Sequence, residues 1–146
     1  PDVESPELTR DQIKAKIERV VSASKLMKDC GFDGVEIHAM HWGYLLDQFA
    51  MSITNHREDE YGGCLENRLR AAREIVEGVK QVCGADFPVS MRMGLKSYIS
   101  GLNKRNFSGE NEKGRTIEEA VEIARLLESY GYDILNVDVV FNFAPI

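Results

Sequence analysis

The sequence predicts an α/β fold that is part of a (β/α)₈ TIM barrel and contains about three helix–strand units. Two observations support this prediction. Three amphipathic segments end at Gly31, Gly84 and Gly131. A short apolar strand follows each of these glycines. The unit therefore recurs at intervals of about fifty residues. Strands that alternate with helices form parallel sheets with right-handed crossovers, which is the arrangement of a barrel.

The first predicted helix begins after Thr9 and stops at Gly31. Thr9 and Gln12 have the spacing of a capping box, in which two side chains bond free N–H groups of the first turn. Apolar and small side chains then recur at helical spacing along one face, which we expect to pack on the sheet. They are Ile13, Ile17, Val20, Ser24 and Met27.

The second predicted helix runs from about Leu65 to Cys83, and Gly84 supplies its stop signal. The third begins at a capping box at Thr116 and ends at Gly131. The predicted packing face of the second helix contains Leu65, Leu69, Ala72, Val76, Val79 and Cys83. That of the third contains Ile117, Ala120, Ala124 and Leu127.

Function is predicted at the C-terminal ends of the three strands. The loops that leave these ends, over residues 39–64 and 93–115, are long, whereas the opposite connections are short. Parallel α/β folds, and barrels above all, carry their active sites at this end of the sheet. Polar side chains lie at and near the strand ends: Glu36, His38, Ser90, Arg92, Asn136 and Asp138.

Composition excludes several classes of function. The formal net charge is −6 and the basic residues are interleaved with acidic ones, so no nucleic-acid partner is expected. No apolar run approaches the roughly 20 residues of a membrane span, and no signal peptide is recognisable, so we expect a cytoplasmic protein with no membrane partner. Cys30, Cys64 and Cys83 are widely separated, which predicts reduced thiols.

The candidate catalytic residues lie where the first strand gives way to its loop. His38, His41 and Tyr44 bring together two imidazoles and a phenol, which can bind a carbonyl or anionic oxygen and deliver a proton. Two alternatives stay open at this point. The histidines could bind zinc with a further carboxylate ligand, or His38 could have a purely structural role in the barrel mouth.

Arg92 ends the second strand and is a candidate for contact with a ligand. A guanidinium in a barrel mouth is costly to bury without an anionic or polar partner. That partner is either a ligand or a carboxylate on a neighbouring strand, Glu36 or Asp138. The charged loop 55–63 lacks the glycine spacing of a phosphate-binding loop, so we expect it to be structural, and we expect residues 96–115 to form a solvated loop.

The chain is short for a complete barrel, which needs eight units and about 250 residues, whereas this chain has 146. Residues 1–146 are therefore expected to be a single fragment of a barrel domain. Alternatively, the exposed sheet edges could pair with a second copy, which predicts a homo-oligomer or an inert self-associating piece.

Several motifs, in order along the chain, resemble those of the old yellow enzyme family of flavin-dependent ene-reductases. They include GFDGVEIH at 31–38, GYLLDQF at 43–49, DEYGG at 59–63, ENR at 66–68 and FPVSMR at 87–92. Within that family the chain is most similar to clostridial 2-enoate reductases and to related bile-acid and 2,4-dienoyl-CoA reductases.

The resemblance implies an FMN-binding barrel, of which this chain would supply roughly strands four to six. In that family NADH reduces FMN, and hydride then passes to the C=C bond of a small-molecule substrate, here an α,β-unsaturated acid or thioester. His38 and His41 resemble the pair that grips the substrate carbonyl oxygen, and Tyr44 resembles the proton donor. Arg92 resembles the arginine that faces the flavin, and with His38 it is the expected cofactor contact.

The resemblance has limits that are themselves expectations. Trp42 lies between His41 and Gly43, where most of the family has no such residue, so the contact of His41 with substrate stays open. The polar turn that the family has after the third strand is replaced by the sequence 138–143. An iron–sulfur cluster and FAD are implied for the full-length enzyme, but their motifs are not in this chain. The isolated chain is expected to bind FMN weakly or not at all and to be inactive.

Overall fold

The computed structural model describes residues 6–41, 43–95 and 115–138, and it has the predicted parallel α/β arrangement. The three strands of this part form one parallel sheet in the order β1–β2–β3. The elements follow one another as α1 (Arg10–Asp29), β1 (Val35–Met40), α2 (Leu45–Ala50), α3 (Leu65–Arg68), α4 (Arg70–Cys83), β2 (Val89–Gly94), α5 (Ile117–Tyr130) and β3 (Ile134–Asp138).

The predicted helix starts are confirmed by their caps. The Thr9 hydroxyl accepts from the N–H of Gln12 at 3.2 Å, and the Gln12 side chain accepts from the N–H of Thr9 at 2.9 Å. At the start of α5, the Thr116 hydroxyl accepts from the N–H of Glu119 at 3.2 Å. Each such cap typically stabilises a helix by about 1 kcal/mol, because it satisfies N–H groups that have no partner within the helix.

The core lies between the sheet and the helices that cover one of its faces. Val89, Met91 and Met93 of the middle strand are completely buried there. Burial of each such side chain contributes roughly 1.5–3 kcal/mol of hydrophobic stabilisation. The longest helix on this face, α1, packs against α4, whose buried face consists of Ala71, Ala72, Ile75, Val76, Val79 and Cys83.

The structure corrects two predicted elements. The second helix is interrupted at Leu69, with φ −92° and ψ −1°, so α3 and α4 replace one continuous helix. The interruption follows Arg68, a buried residue that donates to the carbonyl oxygen of Ala50 and pairs with Glu119 at 2.7 Å. In addition, the predicted loop after β1 contains the helix α2, which is too short to show helical periodicity in the sequence.

The packing face of the third helix also differs from the prediction. α5 buries Ala120, Ile123 and Leu127, whereas Ile117 is 54% exposed. Both sets of residues have helical spacing, so the pattern alone does not select between them. The position of α5 on the sheet determines which of these residues are buried.

The charged loop after α2 is held by its own hydrogen bonds, which agrees with the structural role predicted for it. Asn55 is buried, and its Nδ2 donates to the carbonyl oxygens of Phe49 at 2.7 Å and Tyr61 at 2.8 Å. The Arg57 guanidinium pairs with Asp59 at 2.5 Å, and this hydrogen bond lowers the pKa of Asp59 to about 2. The loop therefore supports the C-terminal end of α2.

Three sequence features lie outside the described residues: Trp42, residues 96–114 of the predicted solvated loop, and residues 139–146 at the chain end. Arg115 is described, and it is only 2% exposed, so the prediction of a solvated position is wrong for this residue. Its charge is buried because a buried carboxylate pairs with it, as detailed below. In the described part of the chain, no helix has the length and apolar character needed to cross a membrane.

Gly62 is the tightest point of the charged loop. A Cβ at this position would lie 2.0 Å from the carbonyl oxygen of Arg57, a backbone atom that cannot move aside easily. We predict that Gly62→Ala lowers the free energy of unfolding by about 2 kcal/mol or more, measured by chemical denaturation. In the control Gly63→Ala, no described atom lies within 4 Å of the new Cβ, and φ is +82°. The control should lose about 1 kcal/mol, the cost of a left-handed residue, and equal losses would contradict the steric explanation.

Candidate active site

The polar strand-end residues share one face of the sheet, opposite to the helix-covered core. In the strand register, Glu36 lies beside Ser90, and His38 lies beside Arg92. Arg92 in turn lies beside Asn136. The Glu36 carboxylate accepts from the Ser90 hydroxyl at 3.3 Å and from Asn136 Nδ2 at 2.9 Å. The structure therefore brings together the polar side chains that the sequence placed at this end.

A β-bulge at the end of β1 explains how the two histidines meet. Residues three apart on a regular strand point to opposite faces. Here the register shifts between His38 and Met40, so that Met40 pairs with Met93 and is completely buried. His41 then lies on the same side as His38, and His38 Nε2 is 3.3 Å from His41 Nδ1. The extra residue of the bulge thus allows His38 and His41, three positions apart, to contact each other.

Tyr44 joins the histidines through the turn that begins α2. Gly43 has φ +72°, a conformation that residues with a Cβ rarely adopt, and the N–H of Tyr44 donates to the carbonyl oxygen of His41 at 3.1 Å. The phenol ring meets the ring of His38 edge-on, with centroids 5.1 Å apart. Tyr44 is 52% exposed. The cluster therefore presents two imidazoles and an accessible phenol at one place.

Arg92 forms an ion pair with Asp138, one of the two carboxylates anticipated for it. Arg92 Nε donates to Asp138 Oδ2 at 2.5 Å, and the same oxygen lies 3.4 Å from His41 Nε2. The hydrogen bond from Arg92 lowers the pKa of Asp138, so this carboxylate is ionised at neutral pH. Asp138 therefore stands between the guanidinium and the imidazole.

The pKa of His41 is lowered, chiefly because burial disfavours the charged imidazolium. Asp138 opposes this shift, while the neighbouring His38 and Arg92 lower the pKa further. A lowered pKa keeps the His41 ring neutral at physiological pH. A neutral imidazole donates one hydrogen bond and accepts another, so His41 can bind an oxygen without carrying a full charge.

Metal binding is the alternative role of the histidine pair. Among residues 6–41, 43–95 and 115–138, no three His, Cys, Asp or Glu side chains are placed to hold a metal ion. Cys30 and Cys64 are exposed thiols, and Cys83 is a buried one. The zinc hypothesis therefore finds no support in the described part of the chain.

Asp47 and Arg115 form a buried ion pair that no sequence motif predicted. Their side chains are 3% and 2% exposed, and Arg115 Nη2 is 2.5 Å from Asp47 Oδ1. Arg115 Nη1 also donates to the carbonyl oxygen of Gly94 at 2.8 Å, and Asp47 Oδ2 accepts from the N–H of Gly43 at 2.9 Å. The available signal was the position of a carboxylate within the mostly apolar segment 45–50, since a buried charge needs a partner.

A family model described as the NADH:flavin oxidoreductase / NADH oxidase family matches residues 2–137. The cinnamate reductase of Clostridium sporogenes is 52% identical over 141 residues, which make up 95% of this chain and 21% of that protein. The chain thus spans about a fifth of the length of this relative. The family match confirms the resemblance seen in the sequence motifs.

The solved structures that are similar to the chain include the following two. A 2-naphthoyl-CoA reductase in complex with 2-naphthoyl-CoA has a TM-score of 0.79 and 32% identity, over 94% of this chain and 19% of its own. An old yellow enzyme homologue from Zymomonas mobilis has a TM-score of 0.69 and 29% identity, over 91% and 34%. These similarities confirm the predicted fold class, an α/β segment of a TIM barrel.

Asp138 and Asp47 both raise the pKa of His41 against the effect of burial, and Asp138 has the larger effect. We predict that Asp138→Asn lowers the pKa of His41 further, because it removes the nearby negative charge and leaves the charge of Arg92 uncompensated. NMR titration of the histidine ring signals measures the shift. Asp33→Asn is the matched control, since Asp33 is an exposed carboxylate before the opposite end of β1, and it should have a far smaller effect. An unchanged or raised pKa of His41 in Asp138→Asn would contradict this electrostatic account.

Proposed function

Because the chain belongs to the NADH:flavin oxidoreductase / NADH oxidase family, we propose that it forms part of a flavin-dependent ene-reductase. Bound FMN would supply the hydride chemistry, with NADH as the reductant and the C=C bond of an α,β-unsaturated carboxylate or thioester as the acceptor. The observation that carries the proposal is the meeting of His38, His41 and Tyr44 at the C-terminal end of β1. Reduction of an alkene beside a carbonyl needs hydrogen-bond donors for the oxygen and a proton for carbon.

The names of similar proteins support the substrate class. One relative is a cinnamate reductase, and one solved structure is a 2-naphthoyl-CoA reductase. Cinnamate and 2-naphthoyl-CoA each have a C=C unit conjugated to a carboxylate or thioester carbonyl. An unsaturated acid or its thioester is therefore the substrate that we propose.

The residues at this end of the sheet fit a flavin. His38 and Arg92 are neighbours in the strand register, and both carry N–H donors. The side chain of Arg92 is 36% exposed despite its ion pair, so its guanidinium keeps donors for the oxygens and nitrogens of a flavin ring. We propose His38 and Arg92 as the contacts of this chain with FMN.

Each residue of the cluster has a separate task in the proposed reaction. His38 and His41 donate hydrogen bonds to the carbonyl oxygen of the substrate, where negative charge grows as the β-carbon receives hydride. Tyr44 gives its hydroxyl proton to the α-carbon, so that hydride and proton together saturate the double bond. A neutral His41 suits this task because it adds no second full charge beside Arg92.

The proposal is tested by an anaerobic assay of the complete enzyme with NADH and cinnamate. NADH should be oxidised and the saturated acid, 3-phenylpropionate, should form in equimolar amounts, as measured by absorbance and mass spectrometry. Allylbenzene is the control substrate, because its C=C bond is not conjugated to a carbonyl and the two histidines cannot polarise it. NADH oxidation that occurs only with oxygen, with no saturated product, would rule out this function.

The role of Tyr44 has its own test. We predict that Tyr44→Phe slows alkene reduction about 100-fold or more, the usual contribution of a general acid. Reduction of the flavin by NADH should be unchanged, because that half-reaction takes no proton from Tyr44. Rapid mixing measures the two half-reactions separately. Tyr130→Phe, which makes the same change on α5, should affect neither, and an equal loss of both half-reactions in Tyr44→Phe would contradict the assignment.

A further inference from the structure

We propose that Asp47 and Arg115 are positioning residues that hold the phenol of Tyr44 in place relative to His38 and His41. The inference rests on the proton-donor role proposed above for Tyr44. It assigns a function to the buried ion pair, which the sequence motifs left without one.

Tyr44 needs support from elsewhere because its own helix is short. α2 has six residues, whereas an isolated helix needs about 12–15 to be even marginally stable in water. Tyr44 is the N-cap residue of α2, and in the described part of the chain its side chain makes no capping hydrogen bond. The place of the phenol therefore depends on the backbone of the turn at Gly43 and on the position of α2.

Asp47 fixes both of these. Its Oδ2 accepts at 2.9 Å from the N–H of Gly43, the residue directly before Tyr44. Its Oδ1 pairs with Arg115 at 2.5 Å. Since both carboxylate oxygens are engaged, the side chain cannot turn away from one partner without losing the other.

Arg115 connects this carboxylate to the sheet. Its Nη1 donates to the carbonyl oxygen of Gly94 at the end of β2, and it lies 3.4 Å from the carbonyl oxygen of Met40 at the end of β1. One guanidinium therefore joins α2 to the two strands that carry His38 and Arg92. Because both charges are almost fully buried, removing one partner leaves the other uncompensated, and the junction must rearrange.

The ion pair of Asp47 and Arg115 affects the reaction because it sets the distance between Tyr44 and the two imidazoles. Three successive contacts tie the turn before the phenol to the end of β2: Gly43 to Asp47, Asp47 to Arg115, and Arg115 to Gly94. A change in any one of them moves Tyr44 relative to the imidazoles. A displacement of about 1 Å in a catalytic group can slow a reaction about 100-fold. Loss of the pair should therefore impair proton delivery to the substrate.

A second ion pair, which contacts the opposite end of α2, provides a matched control. Arg68 donates to the carbonyl oxygen of Ala50, the last residue of α2, and pairs with Glu119 at 2.7 Å. It ties α2 to α5 at the end remote from Tyr44. Loss of this pair should reduce stability without moving the phenol.

The test uses the complete enzyme and its two half-reactions. Asp47→Asn should slow alkene reduction about tenfold or more and change flavin reduction by NADH less than about twofold. Arg115→Lys keeps the charge but cannot reach both acceptors as the fork of Arg115 does, so it should slow the same step, and it replaces Asp47→Asn if that variant does not fold. Glu119→Gln should leave both half-reactions unchanged, even where its Tm falls.

A double-mutant cycle separates positioning from general instability. In the Tyr44→Phe background, Asp47→Asn should slow alkene reduction less than about twofold, because the proton donor that it positions is already absent. Additive losses, or equal slowing by Glu119→Gln, would overturn the inference. If Tyr44→Phe alone leaves alkene reduction intact, the proton-donor role proposed for Tyr44 fails, and the positioning role fails with it. If Tyr44→Phe is slow and Asp47→Asn is not, only the positioning role fails.

Discussion

The buried ion pair of Asp47 and Arg115 is the interaction through which the sheet, α2 and α5 hold one another. Arg115 directly precedes Thr116, the cap of α5, and it reaches the carbonyl oxygen of Gly94 at the end of β2. Two buried charges are tolerated here because they pair with each other and because backbone groups also bond Arg115 Nη1 and Asp47 Oδ2. As a result, the strand ends, the turn before Tyr44 and the start of α5 cannot shift independently.

The charges around the two histidines are balanced by the pairing of Asp138 with Arg92. Asp138 binds Arg92 and lies beside His41, so the positive charge nearest to the imidazoles is already compensated. Burial keeps the His41 ring neutral. Two charged imidazolium rings would repel each other at the 3.3 Å that separates His38 Nε2 and His41 Nδ1, whereas a neutral ring can share a hydrogen bond with its neighbour. The close approach of the pair is therefore linked to the same electrostatics that suit it to bind an oxygen.

Local signals in the sequence predicted most of the fold. The caps at Thr9 and Thr116 and the stop at Gly131 were correct, because caps depend on residues within one turn of the helix end. The helix α2 was missed for the opposite reason. It is held by contacts with residues far along the chain, among them Arg68 and Arg115.

The sequence by itself determined the order of the elements, the parallel direction of the strands and the set of polar side chains at one end of the sheet, since each follows from residues close together in the chain. Only the tertiary structure decided the partners of those side chains. Three features depend on distances between separate elements. They are the bulge that brings His38 and His41 into contact, the ion pair of Arg92 with Asp138, and the burial of Arg115. A buried charge must find a partner in space, and no local pattern states where that partner will be.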